Sequence, residues 1–316
     1  MPASKRDLQR IGRRLKLRDL RILMTAAECG TMRKAAEQLA VSQPVVSKTI
    51  SDIEHAVGVR LLDRSQRGVV PTAGGRALIK RGIVIFDEMR QGLREIEFLS
   101  DPASGEVCVG ATAPITAAIV APAVERLTRE YPRMRFKVVA ADSLPLFARL
   151  EARTVDLVIS RIVHRVPDQY NVEVLFHDEV KVITGRKNPL ARRRTIALVD
   201  LLNEPWILAP PDSYLGCLQA AAFRASGLEP PPITVEASAL SVRNELLASN
   251  RFLSIVVGFS IVLPRPHREL VALPVKLNVA REPVSIITMK NRSLSPAAQT
   301  FIAHVRELTK PLAKAW

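Results

Sequence analysis

Residues 31–57, TMRKAAEQLAVSQPVVSKTISDIEHAV, place two short amphipathic helices either side of a tight turn, and the second keeps a polar face outward. In the first helix Ala35, Ala36 and Leu39 share one face, whose small side chains let another helix approach closely. Val41 follows the break as a core plug. Ser42 stands where an N-cap hydroxyl accepts from the free backbone N–H groups of the turn that opens at Gln43 and Pro44. From that start Val46, Ile50, Ile53 and Val57 recur at spacings of four, three and four, an apolar stripe that must face a core. Gln43, Ser47, Lys48 and Ser51 are left on the opposite side, where Gln can pair with adenine through two hydrogen bonds and Lys can reach guanine or a phosphate. A polar helix on such a support is a probe for the DNA major groove; the plainer reading is an ordinary pair of surface helices.

The flanks favour the first reading. Leu17, Leu20, Met24 and Ala27 predict a third helix before the pair, closed at Cys29-Gly30. After the pair, Gly68 lies in a basic stretch flanked by Leu61, Leu62, Val69 and Val70, which predicts a short hairpin. Such a wing carries Arg64 and Arg67 toward the DNA backbone or minor groove.

Residues 30–75, GTMRKAAEQLAVSQPVVSKTISDIEHAVGVRLLDRSQRGVVPTAGG, resemble without a gap the signature of the LysR-type transcriptional regulators of bacteria. The resemblance implies DNA-contacting roles for Thr31, Gln43, Pro44, Ser47, Lys48, Arg64 and Arg67. Lys48 departs from the Arg more common in the family, trading a bidentate fork for a mobile point charge, so phosphate contact is expected there before base readout. The implied architecture is an N-terminal all-α winged helix-turn-helix with a long linker helix, then an α/β two-lobed effector domain like the periplasmic binding proteins.

Composition agrees with a polyanion partner. The 316 residues carry a formal charge of +15 and a pI near 10.4, and 47% of them are apolar, ample for two or three domains. Residues 1–99 hold 19 Lys and Arg against 11 Asp and Glu, so the charge is densest at the DNA end. The basic start SKRDLQRIGRRLKLR reads as a phosphate-tracking arm or as a solvated tail running into the first helix. Residues 1–22 contain no continuous apolar core of a signal peptide, and the run LSIVVGFSIVLP is too short to span a bilayer, so a cytoplasmic, non-membrane protein is expected. Cys29, Cys108 and Cys217 lack C-x-x-C spacing, which points to reduced, mostly buried thiols and to no metal. His55, His164, His177, His267 and His304 show no metal-ligand spacing, and neither a G-x-S-x-G elbow nor a glycine-rich phosphate loop is present. The triplet His177-Asp178-Glu179 reads as a solvated loop or strand start. No catalytic residue and no cofactor are expected.

The expected domains are a winged helix-turn-helix at 1–72, a linker helix at 73–99, a hinge at 100–105 and an effector domain at 106–316. Along the linker helix Ile79, Gly82, Phe86, Met89, Leu93 and Ile96 alternate at three and four, the seam of a coiled coil. Its partner is either a second copy of the chain or the chain's own winged helix domain. The family resemblance implies the former, with dimerisation through Ile79, Phe86, Met89, Leu93 and Ile96, further pairing into tetramers, and contact with RNA polymerase at a promoter.

From residue 106 strands and helices alternate, predicting a parallel sheet with helices on its faces. Lobe I is expected at 106–175 and 281–316, and lobe II at 176–280. A small-molecule effector should sit between the lobes, where strand ends and helix N-termini offer free N–H groups. The candidates are Thr112, Ala113, Pro114 and Thr116 in the first loop, Ser143 after the second strand, Arg161 as an anion clamp, and Ser213 and Gly258 in lobe II. The plain alternative makes the hydroxyls helix caps and Arg161 a solvent-facing charge. The expected function is that of an effector-responsive DNA-binding regulator. Two alternatives are a sequence-tolerant architectural DNA-binding protein and an enzyme fused to a DNA-binding domain.

Overall fold

The helical periods of residues 17–57 fold as α1 (Leu17–Cys29), α2 (Met32–Gln38) and α3 (Gln43–Val57) in a computed structural model that describes residues 15–65, 68–162, 166–262 and 269–315. The basic start up to residue 14, Arg67, His164 and His267 lie outside the described residues. The chain divides into two compact units, residues 1–92 and 93–316.

In the first unit α1 ends at Gly30, whose left-handed backbone (φ 68°) lets its N–H reach the Ala26 carbonyl. Leu23, Ala26, Ala35, Val46 and Ile50 form the centre of the core, and Val57 packs at its edge. The face of α1 differs from the expected one: Leu17 is exposed, whereas Ile22, Leu23 and Ala26 are buried. Leu20 and Met24 instead flank Gly82 on α4 (Ala73–Ser100), where an added Cβ would lie 2.7 Å from the Met24 sulfur. Gly82 is thus a close-approach site for α1 of its own chain. Ile79 packs against the helix-turn-helix core.

The wing forms as β1 (Leu62–Ser65) and β2 (Gly68–Pro71), antiparallel with Ser65 opposite Gly68. Gly68 adopts φ 124°, a backbone that a side chain does not tolerate, and this turns Val69 so that its N–H donates to the Gly30 carbonyl at 2.8 Å. The sheet is therefore stitched to the end of α1. Glu54 of α3 adds a second stitch by accepting from the Leu61 and Leu62 N–H groups.

The second unit is built on two sheets. In the first, β3 (Ser104–Ala111) lies between parallel neighbours β4 (Arg133–Ala140) and β5 (Leu157–Arg161). The fully parallel sheet expected from the alternation stops there, because β12 (Glu282–Met289) pairs antiparallel with β5 and with β6 (Tyr170–Asp178), giving the order β4-β3-β5-β12-β6. The crossing strands impose this: β6 leads out to the second sheet and β12 brings the chain back. Period-two alternation then assigns the faces. Val107, Val109, Ile159, Val284 and Ile286 point into the larger core. That core is covered by α5 (Ala113–Ile115), a π turn at Thr116–Val120, α6 (Ala121–Glu130) and α11 (Pro296–Ala315). Cys108, Val158 and Ile287 point to the other face, where α7 (Ser143–Glu151) brings Leu146 and Leu150.

The second sheet has β7 (Val180–Gly185) between antiparallel β10 (Ser254–Val257) and β11 (Leu270–Ala272), with β8 (Trp206–Leu208) and β9 (Ile233–Glu236) as a parallel pair beside it. Trp206 is fully buried edge-on to Phe223 of α8 (Tyr214–Arg224), and its indole N–H donates to the Leu201 carbonyl at 2.8 Å. α9 (Leu240–Ala248) and α10 (Phe259–Val262) complete this lobe.

Candidate nucleic-acid interface and effector cleft

In the first unit Gln43, Pro44 and Lys48 are exposed on α3, opposite the buried Val46, Ile50 and Ile53. Ser47 lies one turn after Gln43 and accepts a hydrogen bond from Arg64 Nη1 at 3.1 Å, so the wing and α3 present one continuous polar strip. Ser42 is the N-cap residue of α3 but makes no capping bond, contrary to expectation; Pro44 in the first turn has no N–H to be capped. Thr31 is the N-cap of α2 and accepts from the Lys34 N–H at 3.3 Å, so its hydroxyl holds the turn in place.

On α4 the apolar positions separate into two groups. Ile79 and Gly82 are taken up within the first unit, and Phe86 is half-buried. Met89 is exposed, as are Leu93 at 66%, Ile96 at 62% and Leu99 at 81%.

In the second unit the loop after β3 brings Thr112 to the N-terminus of α5, where it makes no capping bond, whereas Thr116 donates to the Ala111 carbonyl at 3.3 Å. Ser143 opens α7 and shares a hydrogen bond of 2.8 Å with Ser160 at the end of β5. Those hydroxyls converge at the carboxyl ends of neighbouring parallel strands. Ser213 is a cap: its oxygen accepts from the Gly216 N–H at 3.1 Å while its hydroxyl donates to the Pro210 carbonyl at 2.6 Å. Gly258 turns the chain after β10, with its N–H donated to the Glu179 carbonyl at 2.7 Å.

Arg161 is 6% exposed and held internally rather than facing solvent. It pairs with Asp178 and, at 3.3 Å, with Glu282, which in turn accepts from the Tyr214 hydroxyl. Desolvation pushes the Tyr214 phenol up to about 12; the Arg161 cation opposes this and the bond to Glu282 adds to it. The acidic triplet is therefore not a solvated loop. Asp178 is buried where the chain passes between the sheets, and its other oxygen accepts from the Phe259 N–H at 2.8 Å. A second buried ionic group joins Asp156 to Arg292 at 2.9 Å and Arg94 at 3.0 Å, beneath the Cys108 N–H. Burial pushes the Cys108 thiol up, as do the nearby Asp156 and Glu106 carboxylates, making it a poor nucleophile. Of the three free cysteines only Cys108 is buried; Cys217 is exposed.

Between the lobes a cavity of about 360 Å³, partly open to solvent, is bordered by Pro114, Ala117, Ile183, Val256 and Arg243. Arg243 was not among the residues the sequence singled out. Its signal was available: Leu240, Arg243 and Leu247 recur at three and four, which puts a guanidinium on an apolar stripe.

Comparison with known proteins agrees with both units. Residues 17–76 match the family described as bacterial regulatory helix-turn-helix protein, lysR family, and residues 100–310 match the LysR substrate binding domain. The chain belongs to the LysR family of DNA-binding transcriptional regulators, with a C-terminal effector-binding domain. It is 29% identical over 93% of its length to the HTH-type transcriptional regulator GbpR of Azospirillum brasilense, covering 86% of that protein. It is 24% identical over 92% of its length to the transcriptional dual regulator GltC of Bacillus subtilis (strain 168), covering 96% of it. Among solved structures, a full-length OxyR variant from Pseudomonas aeruginosa shares the fold with a TM-score of 0.62 at 19% identity, covering 94% of this chain and 95% of its own. Full-length CbnR complexed with its target DNA does so with a TM-score of 0.61 at 20% identity, covering 93% and 100%. No described helix is long and apolar enough to cross a membrane.

Proposed function

We propose that the chain reads an operator through α3 and changes its hold on promoter DNA when a small molecule occupies the cleft between the two sheets of the second unit. The observation that carries this reading is the division of α3: Val46, Ile50 and Ile53 anchor it, while Gln43, Pro44 and Lys48 are left outward with Ser47 tied to Arg64 of the wing. In this reading Gln43 and Ser47 meet base edges, and Thr31, Lys48, Arg64 and Arg67 hold the backbone or minor groove. The relative CbnR, solved with its target DNA, supports double-stranded DNA as the partner.

The exposed Met89, Leu93 and Ile96 support pairing of two chains through α4, and such dimers pair again as tetramers that meet RNA polymerase in the cytosol. The chain itself performs no reaction and holds no cofactor beyond its effector. Thr112 and Ser143, with Ala113, Pro114 and Thr116 beside them, supply the lobe I wall of the effector cleft. Footprinting on DNA upstream of the protein's own coding sequence, with and without a metabolite panel, tests the reading. A discrete protected stretch that changes with one metabolite is expected. Uniform protection insensitive to every metabolite would favour an architectural binder.

A further inference from the structure

The buried arginines of the second unit are not alike. Arg161 faces Asp178 and Glu282, Arg292 faces Asp156, and Arg153 donates to the Asn291 carbonyl at 3.1 Å. Arg243 is just as deep, at 7% exposure, but its Nε has no hydrogen-bond partner and no carboxylate lies against it among the described residues. Burial pushes its pKa down to about 10, which still leaves a full positive charge at neutral pH. An enclosed cation without a counterion is a costly arrangement that a folded chain keeps only where something else supplies the anion.

The surroundings define that anion. On one side of the cavity stand Pro114, Ala117 and Ala118, directly after the Thr112 loop; on the other stand Ile183, Leu240 and Val256. The walls are apolar and the charge is single. We infer that Arg243 is the anion subsite of the interlobe cleft and that the ligand is a small monocarboxylate with an apolar body. The guanidinium fork matches a carboxylate through two parallel hydrogen bonds, and the walls take up a short branched chain or one ring. A doubly charged phosphate would keep an uncompensated charge among those walls and is disfavoured. The neighbouring Arg161 is neutralised by its own carboxylates, so it does not compete. The inference rests on the effector reading above and narrows it to one ligand class and one anchoring residue. Arg243 belongs to lobe II and Pro114 to lobe I, so a ligand spanning them would bias the separation of the lobes by its difference in affinity for the two arrangements.

The test uses the full-length protein with acetate, isobutyrate and benzoate as probes and their three amides as neutral matches, all at one chloride concentration. Calorimetric titration and thermal shift should show saturable binding of at least one carboxylate and of no amide. Arg243→Met should weaken that binding at least tenfold, and Arg243→Lys, which keeps the charge but not the fork, should fall between. If Arg243→Met does not fold, the lysine variant and the amide comparison decide. No carboxylate binding to the wild type, equal binding of the amides, or undiminished binding to Arg243→Met or Arg243→Lys would overturn the inference. The effector reading fails separately: carboxylate binding that depends on Arg243 but leaves the DNA footprint unchanged would refute that reading alone. A footprint that responds to a metabolite equally in wild type and Arg243→Met would refute only the role of Arg243.

Discussion

Replacing Asp178 by Asn probes the buried link where the chain passes from one sheet to the other. Asp178 is 1% exposed; one of its oxygens accepts from the Phe259 N–H at 2.8 Å, and the other pairs with Arg161. Asn can keep the first bond. It cannot keep the second, because its amide either turns N–H groups toward the guanidinium or offers it an uncharged oxygen. Removing one partner of a buried pair costs about 3–5 kcal/mol, since the other charge stays behind. Glu282 remains 3.3 Å from Arg161 and offsets part of the loss, but it is 21% exposed and so screened by solvent. The net loss should be about 2–3 kcal/mol. At about 2–4 °C per kcal/mol for a unit of this size, the second unit should unfold about 4–12 °C earlier. Both tryptophans, Trp206 and Trp316, belong to that unit, so their fluorescence reports its transition. The double variant Asp178→Asn with Arg161→Met removes the stranded cation and should recover at least half of the loss. A change below about 1 kcal/mol for Asp178→Asn, or no recovery in the double variant, would refute the assignment of a buried, mutually dependent pair.

Three further outcomes are expected. Gln43→Ala should lose about 1–3 kcal/mol on the operator and little on random duplex, measured by fluorescence anisotropy; equal losses on both would remove Gln43 from base readout. Leu93→Asp combined with Ile96→Asp places two charges on the exposed apolar end of α4 and should reduce the assembly to smaller species by light scattering, while an unchanged oligomer would show that this end is not an interface. Ser143→Ala or Thr112→Val should blunt the effector's influence on the footprint while leaving operator affinity without effector nearly unchanged, and an intact response in both variants would reduce these hydroxyls to helix caps.

The elements of the first unit were legible because their signals are local. Val46, Ile50 and Ile53 recur at helical spacing, Gly30 closes α1, and Gly68 marks the wing. The face of α1 was misread because it is apolar on two sides: Leu23 and Ala26 serve the core, while Leu20 and Met24 serve α4 at Gly82. Only the partner's position in space separates those stripes. The strand β6 escaped notice for a related reason, since Asn171, Glu173 and His177 interrupt its apolar residues and only a partner strand on one side supports it. Asp178 looked like one acid of a solvated triplet because its cation, Arg161, lies seventeen positions away on another strand. Arg243 shows the same limit from the other side: spacing places it inward, but that no carboxylate meets it is knowable only once every neighbour is in place.

A competition titration tests most directly whether this chain selects a DNA sequence through α3. A labelled duplex carrying the footprinted stretch is bound at one fixed salt concentration, then displaced by the same duplex or by a scrambled duplex of identical composition. Selective recognition through Gln43 and Ser47 requires the footprinted duplex to be tighter by at least about 10³-fold, with the ratio falling in Gln43→Ala. A ratio near one, with both affinities declining equally as salt rises, would mean that the basic first unit holds DNA by charge alone and would contradict operator reading.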